Sequence, residues 1–230
     1  VVSLRLARVS LNLVRLLIFA KAPQAGRAKT RLIPALGAQG AAELARQMLR
    51  HTLREALTAQ IGPVELCMSP APHDLAWRGV AVPRAVQRSA QGGGDLGERM
   101  ARAVLRVTTQ RRQSVLLMGT DCPGLTAARL TEAAEQLQAH DAVLVPAFDG
   151  GYVLMGLKTP CPALFTQMRW STPTVALETL RRMAALQLRV WQAPPLHDID
   201  EPADLVHLHT ACYGAQFLKS NGPLAPVLID

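Results

Sequence analysis

Aromatic side chains are scarce in this chain: four Phe, three Trp and two Tyr make up 4% of 230 residues. That scarcity argues against a sandwich built on aromatic cross-strand pairs, while the abundant Ala, Leu and Val suit helices layered on a parallel sheet. It also leaves nucleic acid a poor partner, because such binding calls for stacking aromatics beside a concentrated basic stripe. Cysteine is equally thin. Cys67, Cys122, Cys161 and Cys212 lie far apart with no CxxC pair, so neither a zinc knuckle nor a disulfide framework is indicated, and a reducing cytoplasm fits. The six His show no metal-ligand spacing, and His207 and His209 fall on different helix faces. There is no GxSxG elbow, which argues against a covalent hydrolase, and no internal repeat, and the first loop, 21–32, is neither a P-loop nor a GxGxxG fingerprint. Residues 1–14 mix apolar and basic side chains without an uninterrupted apolar core. They make a poor signal peptide, are too short to span a bilayer, and imply no membrane insertion.

With 49% hydrophobic and 18% charged residues, the chain has material for one full core, and a single domain over 1–230 is expected. Its core runs from about 15 to 210, with 1–14 and 212–230 peripheral. The net charge of +8 comes mostly from Arg, dispersed at helical spacing as on solvated helix faces. Such a balance favours phosphorylated or acidic small partners.

Apolar runs and breakers alternate along the chain. Residues 15–20 read as a buried strand, 38–59 as a long helix, 64–69 as a second strand and 82–88 as a third. A helix follows the Gly-rich stretch 91–97, with Met100, Ala103, Val104 and Val107 on one face. Strand 115–118, a helix marked by Leu130, Ala133, Ala134 and Leu137, and strands 142–146, 152–157 and 188–192 follow. Ser171-Thr172-Pro173 predicts a helix start with a hydroxyl cap and Pro at the first position. The stretch 198–205 enters a last short helix. Strands alternating with helices imply a three-layer α/β fold.

The most informative stretch is Val115 to Pro123, an apolar run that stops at Gly119 and then delivers a single carboxylate, Asp121. An acid at a strand tip of an open α/β sheet faces the ligand crevice. Two readings stand: a metal ligand, or a turn-forming Asp that caps the helix after Thr126. The first loop sets Lys21, Arg27, Lys29 and Arg31 within eleven residues, four cations that repel one another unless an anion sits among them. Gly26 lets the backbone approach closely, so the loop suits phosphates, the alternative being a solvated basic turn. In the second Gly-rich loop, Gln91, Gly93, Gly94 and Asp95 leave room for a planar base, or else form a connector in which Asp95 merely caps a helix.

Asp149, Gly150, Gly151 and Tyr152 form a tight reversal that points Asp149 at the crevice, and Trp170, Ser171 and Thr172 place an aromatic and two hydroxyls nearby, the alternatives being core packing for Trp170 and helix capping for Ser171 or Thr172. Asp198 and Asp200 flank Ile199 and point to opposite sides of an extended chain, so only one is expected to face Asp121. Asp121 with one of these two, a pair of carboxylates from distant segments, makes a Mg²⁺ or Mn²⁺ site if phosphate oxygens complete the shell. The other role for Asp200 is the cap of the helix begun by Glu201 and Pro202, and both roles can coexist.

Taken in order, FAKAPQAGRAKTRL, GGGDLGERM, GTDCPGLT, DGGYVLMGL, WSTP and DIDEPADL resemble the bacterial GT-A-fold glycosyltransferases associated with arsenosugar or radical-SAM gene clusters. More distantly, the layout is similar to molybdenum cofactor and phospholactate guanylyltransferases and to sugar-nucleotide pyrophosphorylases. The resemblance spans about residues 15–210. It implies a Rossmann-like GT-A fold with a mostly parallel central sheet, a nucleotide-activated donor and a divalent metal, with Asp121 and Asp200 standing at the metal-binding positions. A departure from the DxD motif of many glycosyltransferases is the lone acid in Thr120-Asp121-Cys122-Pro123. The expected activity is transfer from a nucleotide sugar to a small acceptor. Lys29 would act at the phosphates with its neighbours, and Asp149 would contact the sugar or the acceptor hydroxyl. Two alternatives remain: a nucleotidylyltransferase joining a nucleoside triphosphate to a phosphorylated acceptor, and a nucleotide-binding module without catalysis.

Overall fold

The structure is a computed structural model that describes residues 14–111 and 113–208. The peripheral segments expected at either end, with His209 and Cys212, lie outside the described residues apart from Val14. One seven-stranded sheet carries the fold, in the order β3-β2-β1-β4-β6-β5-β7. Its strands are β1 (Val14–Lys21), β2 (Val64–Ser69), β3 (Gln87–Ala90), β4 (Ser114–Met118), β5 (Ala142–Pro146), β6 (Tyr152–Leu157) and β7 (Val190–Gln192). All neighbouring pairs are parallel except those made by β6, which runs antiparallel to both β4 and β5.

Strand β1 shows why the sheet is covered on both sides. Its side chains alternate, with Leu16, Ile18 and Ala20 entering one core and Leu17 the other, all nearly inaccessible. The first core is roofed by α1 (Ile33–Ala59) through Leu49, Leu53 and Ala56, and by α3 (Ala127–Ala139) through Leu130, Ala133, Ala134 and Leu137. The second is roofed by α2 (Leu96–Gln110) through Met100, Ala103, Val104 and Val107, and by α4 (Val175–Ala185) through Ala176 and Met183. Helix α2 opens with a full capping box, Asp95 accepting from the Glu98 N–H and Glu98 accepting from the Asp95 N–H. Asp95 is therefore a helix cap.

Three expected elements differ. Residues 82–86 form a turn instead of a strand, and pairing begins only at Gln87, because Pro83 interrupts the run. Helix α1 begins at Ile33 and is broken at Gly37, whose backbone leaves helical geometry. Helix α4 starts at Val175 behind Thr174, and neither Ser171 nor Thr172 caps it. Ser171 instead adopts φ +60°, and the Thr172 hydroxyl turns back to donate to the Arg169 carbonyl.

The loop after β4, which carries Asp121, is fastened to α1 from below. The His51 Nε2 lies 3.1 Å from the Pro123 carbonyl, which can only accept, while Arg54 reaches His51 Nδ1 at 2.8 Å. His51 is thus the neutral Nε2–H tautomer, and burial holds its pKa below the ordinary value. Glu55 accepts from the Ala127 N–H at 3.0 Å and so caps α3, where Thr126 makes no side-chain cap. The reading of Asp121 as that cap is therefore corrected.

A third apolar cluster positions the site. Leu32, Ala41, Leu44 and Met48, from the first loop and the start of α1, pack against Ile199, Leu205 and Leu208 near the end of the described chain. Two segments far apart in sequence are clamped beside the tip of β4.

Candidate active site

β1 is flanked by β2 on one side and by β4 on the other, so the chain leaves β1 and β4 in a crevice at their carboxyl ends. Asp121 stands in that crevice and borders two cavities. One, of about 320 Å³, is lined by Lys21, Arg27, Lys29 and Arg31 together with Thr120, Asp121 and Asp200. The other, of about 340 Å³, is lined by Asp121, Asp149 and Asp198 with Tyr152, Trp170 and Ser171. Phe19, near the end of β1, is common to both.

The basic cavity is organised around Lys29. Its backbone sits in the left-handed region at φ 48°, which turns the chain into the short 3₁₀ segment Thr30–Leu32 and aims the side chain inward. The side chain is only 5% exposed, and its ammonium lies 2.5 Å from Asp121 Oδ1 and 3.4 Å from Asp200 Oδ1. It also donates to the Ile199 carbonyl. The Ile199 N–H in turn donates to the Asp121 carbonyl at 2.8 Å. One buried residue therefore fixes the acid at the strand tip, the lysine of the first loop and the two acids at its own sides. Arg31 reaches Asp200 Oδ2 at 3.0 Å. Lys21 and Arg27 line the cavity as exposed cations, and Gly26 takes φ +77° with open space where a Cβ would stand.

The helix-cap reading of Asp200 is corrected. Its carboxylate goes to Lys29 and Arg31, and the capping acid is Asp204, which accepts from the Asp200 and Glu201 N–H groups. Asp198 and Asp200 do leave the chain on opposite sides, yet both border a cavity shared with Asp121, because Asp121 stands between the two. The expectation that only one would face Asp121 is thus also corrected. Burial, and then the charges of Asp149, Asp200 and Asp121, push the Asp198 carboxyl up to about 6.

In the acid cavity Asp149 accepts from the Gly151 N–H at 2.7 Å, closing a tight turn. Gly150 is required there: its φ is +89°, and a Cβ would stand 2.0 Å from the Pro173 carbonyl oxygen. That contact ties the β5–β6 turn to the 170–174 segment, as does the bond from the Ala176 N–H to the Gly150 carbonyl. The Tyr152 hydroxyl lies 3.9 Å from the Met100 sulfur, and burial raises its pKa. The Trp170 indole N–H is buried and makes no hydrogen bond among the described residues. Cys122, next to Asp121, is no nucleophile, since burial pushes its thiol up to about 12.

The second Gly-rich loop has a structural arrangement. The Gln91 amide is buried and donates to the Ala20 and Cys67 carbonyls, lacing the ends of β1 and β2. Arg102 and Arg99 hold the carbonyls of Gln91, Gly93 and Gly94. Gln91, Gly93, Gly94 and Asp95 line neither of the two cavities. Residues missed by the sequence reading are Phe19 and Thr120, while Asp198 was weighed there as the alternative to Asp200.

Among the described residues no group of three His, Cys, Asp or Glu side chains is placed to hold a metal ion. The donors that fit one are the carboxylates of Asp121 and Asp200, whose oxygens already converge on a single cation, the Lys29 ammonium. Ions such as Mg²⁺ take one or two carboxylates and draw the rest of their shell from phosphate and water.

This sheet order, mostly parallel with helices on both faces, is an α/β fold of the GT-A kind, with charged groups at the tips of β1 and β4. Residues 52–172, more than half of the chain, match the family described as "Uncharacterized protein conserved in bacteria (DUF2064)", and the chain belongs to that family. A crystal structure from Desulfovibrio desulfuricans, described as a "putative nucleotide-diphospho-sugar transferase", is similar at 32% identity and a TM-score of 0.80, covering 90% of this chain and 91% of that one. Two others share the fold alone. A cytidylyltransferase from Leptospira borgpetersenii has 14% identity and a TM-score of 0.58, with 88% and 87% of the chains covered. Rv0371c from Mycobacterium tuberculosis, in complex with manganese, has 15% identity and a TM-score of 0.51, with 86% and 98% covered. Among curated proteins none matches. No helix among the described residues is long and apolar enough to cross a membrane.

Proposed function

We propose that this protein is a metal-dependent transferase that binds a nucleotide-activated donor and passes a glycosyl group to a small acceptor. The observation that carries the reading is the position of Asp121 between a cation-lined and a carboxylate-lined cavity. A diphosphate would lie in the first, with Lys21, Arg27, Lys29 and Arg31 offsetting its charge, and the group to be moved would lie in the second. The likeness to the Desulfovibrio protein supports a nucleotide-diphospho-sugar donor.

Asp121 and Asp200 would hold Mg²⁺ or Mn²⁺, which supplies charge neutralisation at the leaving diphosphate. Lys29, released from the two carboxylates, would turn its ammonium to a phosphate oxygen. Asp149 would accept the proton of the acceptor hydroxyl, held in place by its bond to the Gly151 N–H. Tyr152, Trp170, Ser171 and the Gly150–Gly151 turn would shape the pocket around that hydroxyl.

The second reading, nucleotidyl transfer to a phosphorylated acceptor, is favoured by the fold shared with the cytidylyltransferase and by four cations that suit a triphosphate. Product analysis tests the choice. Incubation with Mn²⁺, a panel of nucleotide sugars and a panel of small hydroxylated acceptors should release a nucleoside diphosphate. Pyrophosphate release from a nucleoside triphosphate with a sugar phosphate would establish the second reading instead.

A further inference from the structure

The cavity beyond Asp121 carries no cation. Its wall includes Asp121, Asp149 and Asp198 but no Lys, Arg or His. Asp149 gives one oxygen to the Gly151 N–H at 2.7 Å, and neither Asp149 nor Asp198 forms an ion pair among the described residues. On the other side of Asp121 the balance is reversed, with four cations facing two acids. Charge therefore changes sign across one residue. A divalent ion at Asp121 and Asp200 would not cancel the difference, because the diphosphate it serves brings negative charge of its own.

We infer that the molecule held in the acid cavity is uncharged and rich in hydroxyls, a sugar or polyol, and that phosphorylated molecules are excluded from it. The inference rests on the transferase reading above and names its substrate class. An ionised carboxylate can only accept hydrogen bonds, and hydroxyl groups supply the donors it lacks. A phosphate would set acceptor against acceptor and like charge against like charge in a space screened by Phe19, Tyr152 and Trp170. Those three rings also offer apolar faces against which the C–H face of a sugar ring can lie. The consequence bears on the reaction, since nucleotidyl transfer needs a phosphorylated acceptor and glycosyl transfer does not.

The test uses the full chain with Mn²⁺ and whichever of ADP, CDP, GDP, UDP and dTDP calorimetry shows to bind. Matched pairs are then titrated by NMR: glucose and glucose 6-phosphate, mannose and mannose 6-phosphate, galactose and galactose 1-phosphate, glycerol and glycerol 3-phosphate. The neutral member should bind at least about tenfold more tightly, a difference of about 1.4 kcal/mol. Replacing Asp149 and Asp198 together by Asn should bring each pair within about threefold, with the melting temperature confirming the fold. A phosphorylated member that binds more tightly than its neutral partner overturns the inference, as does a preference untouched by the double substitution. If none of the five nucleotides binds, the transferase reading fails separately. The same pairs, titrated with magnesium pyrophosphate filling the basic cavity, still read the charge preference.

Discussion

Lys29 and Asp121 meet at 2.5 Å, a lysine from the loop after β1 paired with the acid at the tip of β4. The ammonium is almost fully buried while the carboxylate is half exposed, so the lysine depends on the pair more than the acid does. With Asp200 also in reach, Lys29 occupies the place between two carboxylates where a divalent ion would be held.

Lys29→Met should therefore act in opposite directions with and without metal. In chelator, Asp121 and Asp200 lose their shared cation, and the half-exposed pair should cost about 1–2 kcal/mol once screening is allowed for. That is a fall in melting temperature of roughly 2–8 °C. Added Mn²⁺ should raise the melting temperature of the variant by more than that of the native protein, because no ammonium competes for the site. Differential scanning fluorimetry with and without Mn²⁺ measures both arms. An equal metal response in the two proteins would show that Lys29 and the ion do not share a position.

Arg31→Ala and Arg27→Ala should weaken nucleoside di- and triphosphates by about tenfold to a hundredfold while leaving the bare nucleoside unchanged, since a charge-assisted hydrogen bond contributes roughly 1.5–3 kcal/mol. Calorimetric titration of nucleoside against nucleotide gives the comparison. A uniform loss across both would make the loop structural.

Asp198→Asn should stabilise the metal-free protein at pH 7.5. The folded-state pKa of Asp198, about 6, is above that of an unfolded Asp near 3.9. Its protonated form contributes stability in full below about pH 4, and that contribution is lost as pH rises through 6. The variant keeps it at every pH. Discounted for solvent screening, the gain is about 1 kcal/mol, or roughly 2–4 °C, and it should vanish at pH 4. Melting curves between pH 4 and 8 in chelator check the sign.

Glu65→Gln should separate fold from function. Glu65 is 2% exposed in β2 and takes hydrogen bonds from Arg15, Arg106 and Ser89. Burial alone would raise its pKa, but Arg106, Ser89 and Arg15 hold it below the usual value. Losing the charge strands two arginines and should cost about 3–5 kcal/mol. Melting temperature should fall steeply, while nucleotide affinity at low temperature stays within about twofold, because no lining residue of either cavity is touched.

The sequence displayed the sheet because both-faced burial writes a strand as an apolar run, as in Leu16 to Ile18 and Val115 to Met118. It displayed Asp121 because a lone acid after such a run has one place to go. The bounds of the short β3 were hidden, since Gln87 to Ala90 is an exposed edge segment with no apolar run. Asp95 could not be separated from a ligand-binding acid by residue type, because a carboxylate serves a helix cap and a ligand equally well. The position of Asp198 depended on a fact no local pattern holds: Asp121 borders cavities on both sides, so opposite faces of the Ile199 segment both reach the site.

The most direct measurement is calorimetric binding of nucleoside diphosphates to the native protein and to Asp121→Asn and Asp200→Asn, each with Mn²⁺ and with chelator. The native protein should bind in Mn²⁺ with at least about tenfold higher affinity than in chelator, and both variants should lose that enhancement while keeping their melting temperatures within a few degrees. Binding of equal strength with and without metal, or an enhancement that survives in both variants, would contradict a metal-bridged diphosphate at the tip of β4.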